Sequence, residues 1–189
     1  MDMFVVLPGS RVHQDERMDG PGDDTIRPAK RLVALSTWHP DCYQRAAAYV
    51  TDPSGRLLVF DHLDVDAGTQ VPAGGIHEGE SAEDAVVREL AEESGLETAV
   101  FVRKLGEAWG RSEPGNVPAG LEEHIQHAFH LRLDRQPPGE AWEWHETSGG
   151  EATEHRFAFR WVSLEAAAKI LWPHQAMWIN PVRTSLRFI

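Results

Sequence analysis

Six glutamates, at positions 78, 80, 83, 89, 92 and 93, crowd one short stretch of a 189-residue chain whose formal net charge is already -12. Neighbouring carboxylates on a solvated helix repel by roughly 0.2–0.5 kcal/mol per pair. A hard divalent cation reverses that sign, because Mg²⁺ takes oxygen ligands and leaves positions for water or substrate phosphates. Such a cation would also let an acidic chain bind a small anion. The plainer alternative is an acidic face turned to solvent. Context counts against it: the glutamates follow Gly74 and Gly75, a turn whose main-chain carbonyls can approach a metal.

The helix that carries these acids is bounded by its own sequence. Ser81 is a good N-cap, "SAED" is a capping-box pattern with Asp84 at the third helical position, and Gly95 supplies the stop. These signals predict a helix from about Ala82 to Ser94. Steps of ~100° per residue put Glu89, Glu92 and Glu93 on one arc, with Val86, Val87 and Leu90 beside it facing the core. Arg88 lies four residues before Glu92 and can pair with it.

Other segments must hold this helix in place. "RAAAYVT" and "RLLVFDH" flank the turn "DPSG" and predict a hairpin. "TAVFVRKLGEAW", "EHIQHAFHLRL" and "HRFAFRWVSL" read as later strands, and Arg31–Leu35 as a short early one. A second helix is expected from Leu164 to about Leu171, capped by Ser163 and ended before Pro173. Strands with helices at the middle and near the end imply an α/β (α+β) domain, a mixed sheet packed between helices. Residues 8–30 are rich in Gly, Pro, Asp and Arg and read as a linker or arm.

Composition narrows the function. With 41% hydrophobic and 25% charged residues, the chain can bury one proper core. Its single cysteine, Cys42, excludes an internal disulfide framework, suits a reducing cytoplasmic setting, and has no obvious histidine partner nearby in sequence. The apolar run Met3–Leu7 is far shorter than the roughly 18 residues a membrane span needs. The acidic balance argues against binding nucleic acid along its backbone, though an acidic protein can still bind a small anion through cations.

Gly74, five residues, Glu80, seven residues and then "RELAEESGL" reproduce a longer pattern, met at Gly74, Glu80, Arg88, Glu89, Leu90, Glu92, Glu93, Gly95 and Leu96. It resembles the Nudix box, and the flanking strands follow the Nudix layout over about residues 44–172. The resemblance implies an α/β/α sandwich over 41–189, with residues 1–40 as an N-terminal arm. It also implies Mg²⁺- or Mn²⁺-dependent hydrolysis of a nucleoside diphosphate linked to another moiety. By position, Glu89, Glu92 and Glu93 would bind metal, with a main-chain carbonyl of Ala73 or Gly74. Arg88 would orient a glutamate, and Glu80 would be mainly structural or a minor ligand. The family's general base often lies outside the box, before a late strand. Glu154 is the first candidate for it, with Glu151 and Glu123 behind.

Ala73 ahead of the box glycine, and the loop around Pro114, resemble the ADP-ribose and nucleotide-sugar pyrophosphatase branch. A nucleoside triphosphate or dinucleoside polyphosphate is the alternative substrate. A nucleotide-sensing module without catalysis and a structural protein with an acidic patch are the other readings. His124, His127 and His130 match no structural-zinc spacing and are expected to be packed or surface residues, with phosphate contact by His124 or His130 as the functional alternative. Trp161 is expected in the core, whereas Trp109 or Trp142, placed in loops, are the candidates to stack on a base. Met3–Leu7 is the segment expected to pack against a second copy in a homodimer.

Overall fold

The computed structural model describes residues 5–7, 42–111, 123–135, 139–146 and 155–188. Strands are β1 (Val5–Leu7), β2 (Tyr43–Thr51), β3 (Leu57–His62), β4 (Ala73–Gly75), β5 (Ala99–Arg111), β6 (Glu123–Leu133), β7 (Ala141–Glu146) and β8 (His155–Val162). Helices are α1 (Ala82–Ser94), α2 (Leu164–Ile170), α3 (Pro173–Ala176) and α4 (Ile179–Ser185). The strands form one sheet in the order β1-β5-β6-β2-β3-β8-β7, with β4 attached to β2. The β2–β6 pair is parallel, while the other pairs are antiparallel, so the sheet is mixed.

β2 lies at the centre, covered on both faces. Ala46, Ala47, Ala48, Tyr49 and Val50 are wholly buried, which is why this strand reads as a continuous apolar run rather than an alternating one. One face packs Ala46, Ala48, Val50, Phe129 and Leu131 against Val86 and Leu90 of α1. The other packs Ala47, Tyr49, Val59 and Ala128 against Ala167, Trp178, Ile179 and Val182 of α2, α4 and their link. This is the expected α/β/α sandwich. Burying each large side chain contributes roughly 1.5–3 kcal/mol, so the two cores dominate the fold's stability.

Helix α1 begins and ends where its sequence signals place it. The Ser81 hydroxyl accepts from Asp84 N–H at 3.0 Å, and Gly95 takes the left-handed conformation at φ 74°. Val87 departs from expectation and is 45% exposed. Glu89 and Glu93 take part of the buried arc with Val86 and Leu90, which leaves Val87 about 100° round from Val86, off the sheet. The last turn of α1 is held by β7. Trp142 Nε1 donates to Ser94 O at 3.0 Å and Trp144 Nε1 to Glu92 O at 2.8 Å.

That strand also corrects the tryptophan expectation. Trp109 and Trp142 lie in β5 and β7, not in loops. Trp142 stacks on Phe159 with centroids 5.3 Å apart, which makes it part of the core rather than a free platform for a base. Trp161 is buried, as expected. Val5–Leu7, expected against a second copy, pairs with β5 of its own chain. Pro173 both follows α2 and opens α3, where its missing N–H is harmless. The expected linker at 8–30, the strand at Arg31–Leu35, Pro114, Glu151 and Glu154 lie outside the described residues.

The β6 histidines are packed. His127 Nε2 meets Gln44 Oε1 at 2.9 Å, and Nδ1 lies 3.3 Å from Glu107. His130 is wholly buried, its ring nitrogens meeting Thr51 Oγ1 at 2.9 Å and Ser185 Oγ at 2.7 Å. Burial, aided by Arg132 and Arg103, lowers its pKa to about 4 from 6.5. The unfolded chain therefore takes up this proton first, and stability falls as pH drops from about 6.5 towards 4. The loss is expected to reach about 3 kcal/mol at most. In urea unfolding across this window, His130→Gln should show a shallower slope than the parent. Equal slopes would mean that His130 does not govern the acid response.

Candidate active site

The site is built where α1 crosses the glycine turn of β4. β4 pairs with β2 through Arg45↔Gly75, Ala46↔Gly74 and Ala47↔Ala73, so the turn is fixed to the sheet's central strand. At Gly74 the Glu89 carboxyl packs onto the backbone: an added Cβ would meet its atoms at 1.9–2.2 Å. Glycine is required here for space, and a close backbone approach is its purpose. Glu93 is also buried, and its Oε2 accepts from Ala73 N–H at 3.0 Å. Thus Glu89, Glu93 and the 73–74 backbone meet in one place.

Arg88 ties the remaining acids together. Its Nε and Nη2 donate to the two oxygens of Glu80 at 2.8 and 2.9 Å. Its Nη1 donates to Glu89 Oε1 at 2.7 Å and Glu92 Oε2 at 3.0 Å, and Nη2 also reaches Gly75 O at 2.8 Å. One planar guanidinium therefore serves three carboxylates and a carbonyl, a geometry that lysine's point charge does not supply. Glu80, engaged through both oxygens, also accepts from His77 N–H at 2.9 Å and belongs to this knot. A second arginine, Arg45, donates Nη2 to Ala73 O at 2.9 Å.

Electrostatics split the acids into two groups. Hydrogen bonds from Arg88 hold Glu80 down at about 2. Burial pushes Glu93 well up, with the Glu89 charge adding to it, and burial likewise raises Glu89 despite Arg88 beside it. In both, burial outweighs the positive charge that Arg88 brings to Glu89 and Arg45 to Glu93. Their donor set is all oxygen, from carboxylates beside turn carbonyls, and it fits a hard divalent cation such as Mg²⁺ or Mn²⁺. In the arrangement described, no three acidic, histidine or cysteine side chains among the described residues form a ready ion cage. Arg88 bridges Glu89 and Glu92, while Glu93 holds Ala73 N–H.

Glu146, at the end of β7, was missed in the sequence. It follows Trp142 and Trp144 at alternating positions, on the strand whose indoles grip the last turn of α1. It is half-buried, and its pKa is raised by burial, with Glu92 adding to the rise. Its charge in turn raises Glu89 and Glu93. No local motif marks it. The signal was the Trp-x-Trp-x-Glu alternation, which has meaning only once β7 is known to lie along α1.

Gly74→Ala should drive the Glu89 carboxyl from its seat, costing about 1–3 kcal/mol by overpacking. Melting curves with and without Mg²⁺ should show a lower melting temperature and a weaker ion response. Curves like the parent's would show that Glu89 does not need that seat.

Comparison with known proteins agrees with this geometry. Residues 43–180 match the family described as NUDIX domain. The chain is 28% identical over 145 residues to the chloroplastic Nudix hydrolase 26 of Arabidopsis thaliana, covering 64% of this chain and 65% of that protein. It is 32% identical over 115 residues to an RNA pyrophosphohydrolase of Campylobacter jejuni subsp. doylei, covering 59% and 65%. The matches thus span just under two thirds of these relatives' lengths. A C. elegans Ap4A hydrolase binary complex superposes with a TM-score of 0.56 at 16% identity, covering 78% of this chain and 99% of that one, a likeness of fold. With a family match over most of its length and a mixed-sheet sandwich presenting the Glu89, Glu92 and Glu93 helix to a glycine turn, the chain belongs to the Nudix family.

Proposed function

We propose that this protein is a divalent-metal-dependent pyrophosphohydrolase that cleaves a diphosphate bond of a nucleotide with water as nucleophile. The observation that carries the reading is the seating of Glu89 and Glu93 on the 73–74 backbone, where burial raises both despite the arginines near them. Glu89, Glu92 and Glu93 would hold the ion, with a turn carbonyl of Ala73 or Gly74. When bound, it supplies charge neutralisation for the diphosphate and a bound water of lowered pKa. Arg88 sets the rotamers of Glu89 and Glu92 from one guanidinium. Besides Glu80, which Arg88 holds ionised, the described residue outside the helix whose charge acts on the cluster is Glu146, and its raised pKa suits proton uptake. It joins Glu154 as a candidate general base.

The substrate lead moves away from ADP-ribose. Of the three proteins cited above, two carry the names RNA pyrophosphohydrolase and Ap4A hydrolase and the third is named Nudix hydrolase 26; none bears an ADP-ribose name. A nucleotide with a polyphosphate chain, free or at the end of a longer molecule, is therefore the preferred class. A net charge of -12 favours a substrate gripped at its phosphates over one held along a nucleic-acid backbone.

Product release with Mg²⁺ from Ap4A, nucleoside triphosphates, 5′-triphosphorylated RNA and ADP-ribose tests both claims. Glu92→Gln and Glu93→Gln should each lower the rate by roughly 100- to 1,000-fold. Without added ion, Glu93→Gln should melt no lower than the parent, since it removes a buried charge, and it should lose the Mg²⁺-induced rise in melting temperature. Parent-like rates in both variants would sink the reading, and faster cleavage of ADP-ribose would restore the original lead.

A further inference from the structure

We propose that Arg45 and Gln126 form a phosphate-binding subsite beside the glycine turn, taking a phosphate of the substrate's diphosphate chain. This rests on the hydrolase reading above. Arg45 and Gln126 are register partners on the parallel strands β2 and β6, so their side chains leave the same face of the sheet. It is the face opposite α1, shared with Ala47 and Ala128 of the second core.

Both side chains bury a donor that has nothing to bond. Gln126 is 4% exposed, and among the described residues its Nε2 has no hydrogen-bond partner; nor does Arg45 Nε, equally shut from solvent. Leaving such a donor buried and unmet carries the full cost of its desolvation, so two together on adjacent strands need an acceptor. Arg45 carries a full charge, and among the described residues no carboxylate lies within ion-pair distance of it. An anion with several acceptor oxygens fits this pair better than a neutral carbonyl does.

Position connects the pair to the chemistry. Arg45 Nη2 donates to Ala73 O, while Glu93 accepts from Ala73 N–H, so the two side chains grip the same residue. The Arg45 charge also acts on Glu93, favouring its ionised form. A diphosphate neutralised at the glutamates therefore has cationic and amide donors next to it across Ala73. The acids alone give no such anchor.

The test is calorimetric titration of methylenediphosphonate, a diphosphate that cannot be hydrolysed, into the full chain with saturating Mg²⁺. The parent should bind. Gln126→Met keeps volume and removes the amide; it should weaken binding at least about tenfold while the ligand-free melting temperature holds or rises. Arg45→Lys keeps the charge but lacks Nε, and should weaken binding less than Arg45→Met. Binding by Gln126→Met equal to the parent's overturns the subsite alone, as does a marked fall in its ligand-free melting temperature, which would mean that the amide holds the fold. A parent that does not bind the probe overturns both the subsite and the hydrolase reading.

Discussion

The guanidinium of Arg88 is the contact on which the site depends. It joins Glu80 in the loop, Glu89 and Glu92 on α1, and the carbonyl of Gly75 on β4. Without it, three carboxylates would face one another across a partly buried space with nothing to hold their rotamers. With it, Glu89 and Glu92, two of the proposed metal ligands, are prearranged by a cation already in the chain. The arrangement also separates two kinds of glutamate. Glu80 is held fully ionised by the arginine, while Glu89 and Glu93, buried against the turn, are pushed the other way. The difference comes from burial and partner count, since all are the same residue type.

The rest of the fold places this knot against a rigid backbone. β4 is pinned to the central strand β2, which is covered on both faces, so the turn shares the order of the core. At the other end, Trp142 and Trp144 reach from β7 to carbonyls of the last turn of α1. Those indoles satisfy acceptors that a helix end leaves open and lock the helix to the hairpin. They do structural work, although the sequence offers Trp142 as a base-stacking candidate. Their strand ends in Glu146, so the tie that holds the helix also brings another acid towards its glutamates.

An acidic protein proposed to act on phosphates faces a charge problem, and the site meets it locally. The net charge of -12 describes the whole chain, whereas the turn is lined by Arg45 and Arg88, each bonded to one of its carbonyls. Such placement decides which anions can approach better than the overall balance does.

The Nudix box, its cap at Ser81, its stop at Gly95 and the helix between them were legible in sequence because each is a local preference acting within a few residues. The hairpin of β2 and β3, the sandwich class and the glutamates' shared arc followed from periodicity in the same way. Val87 was misjudged because helical spacing gives an arc but not which part of it the sheet covers. Trp142, Trp144 and Glu146 were opaque because their meaning lies in a strand packed along a helix about 50 residues away, as the Trp142 to Ser94 bond shows. Arg45 and Gln126 stand 81 positions apart, and only the parallel β2–β6 register sets them side by side. Local chemistry along the chain therefore determined which residues are the candidate metal ligands. Tertiary packing alone decided which acids are buried, what faces them, and which donors are left without a partner, because desolvation and long-range pairing arise only when the layers close.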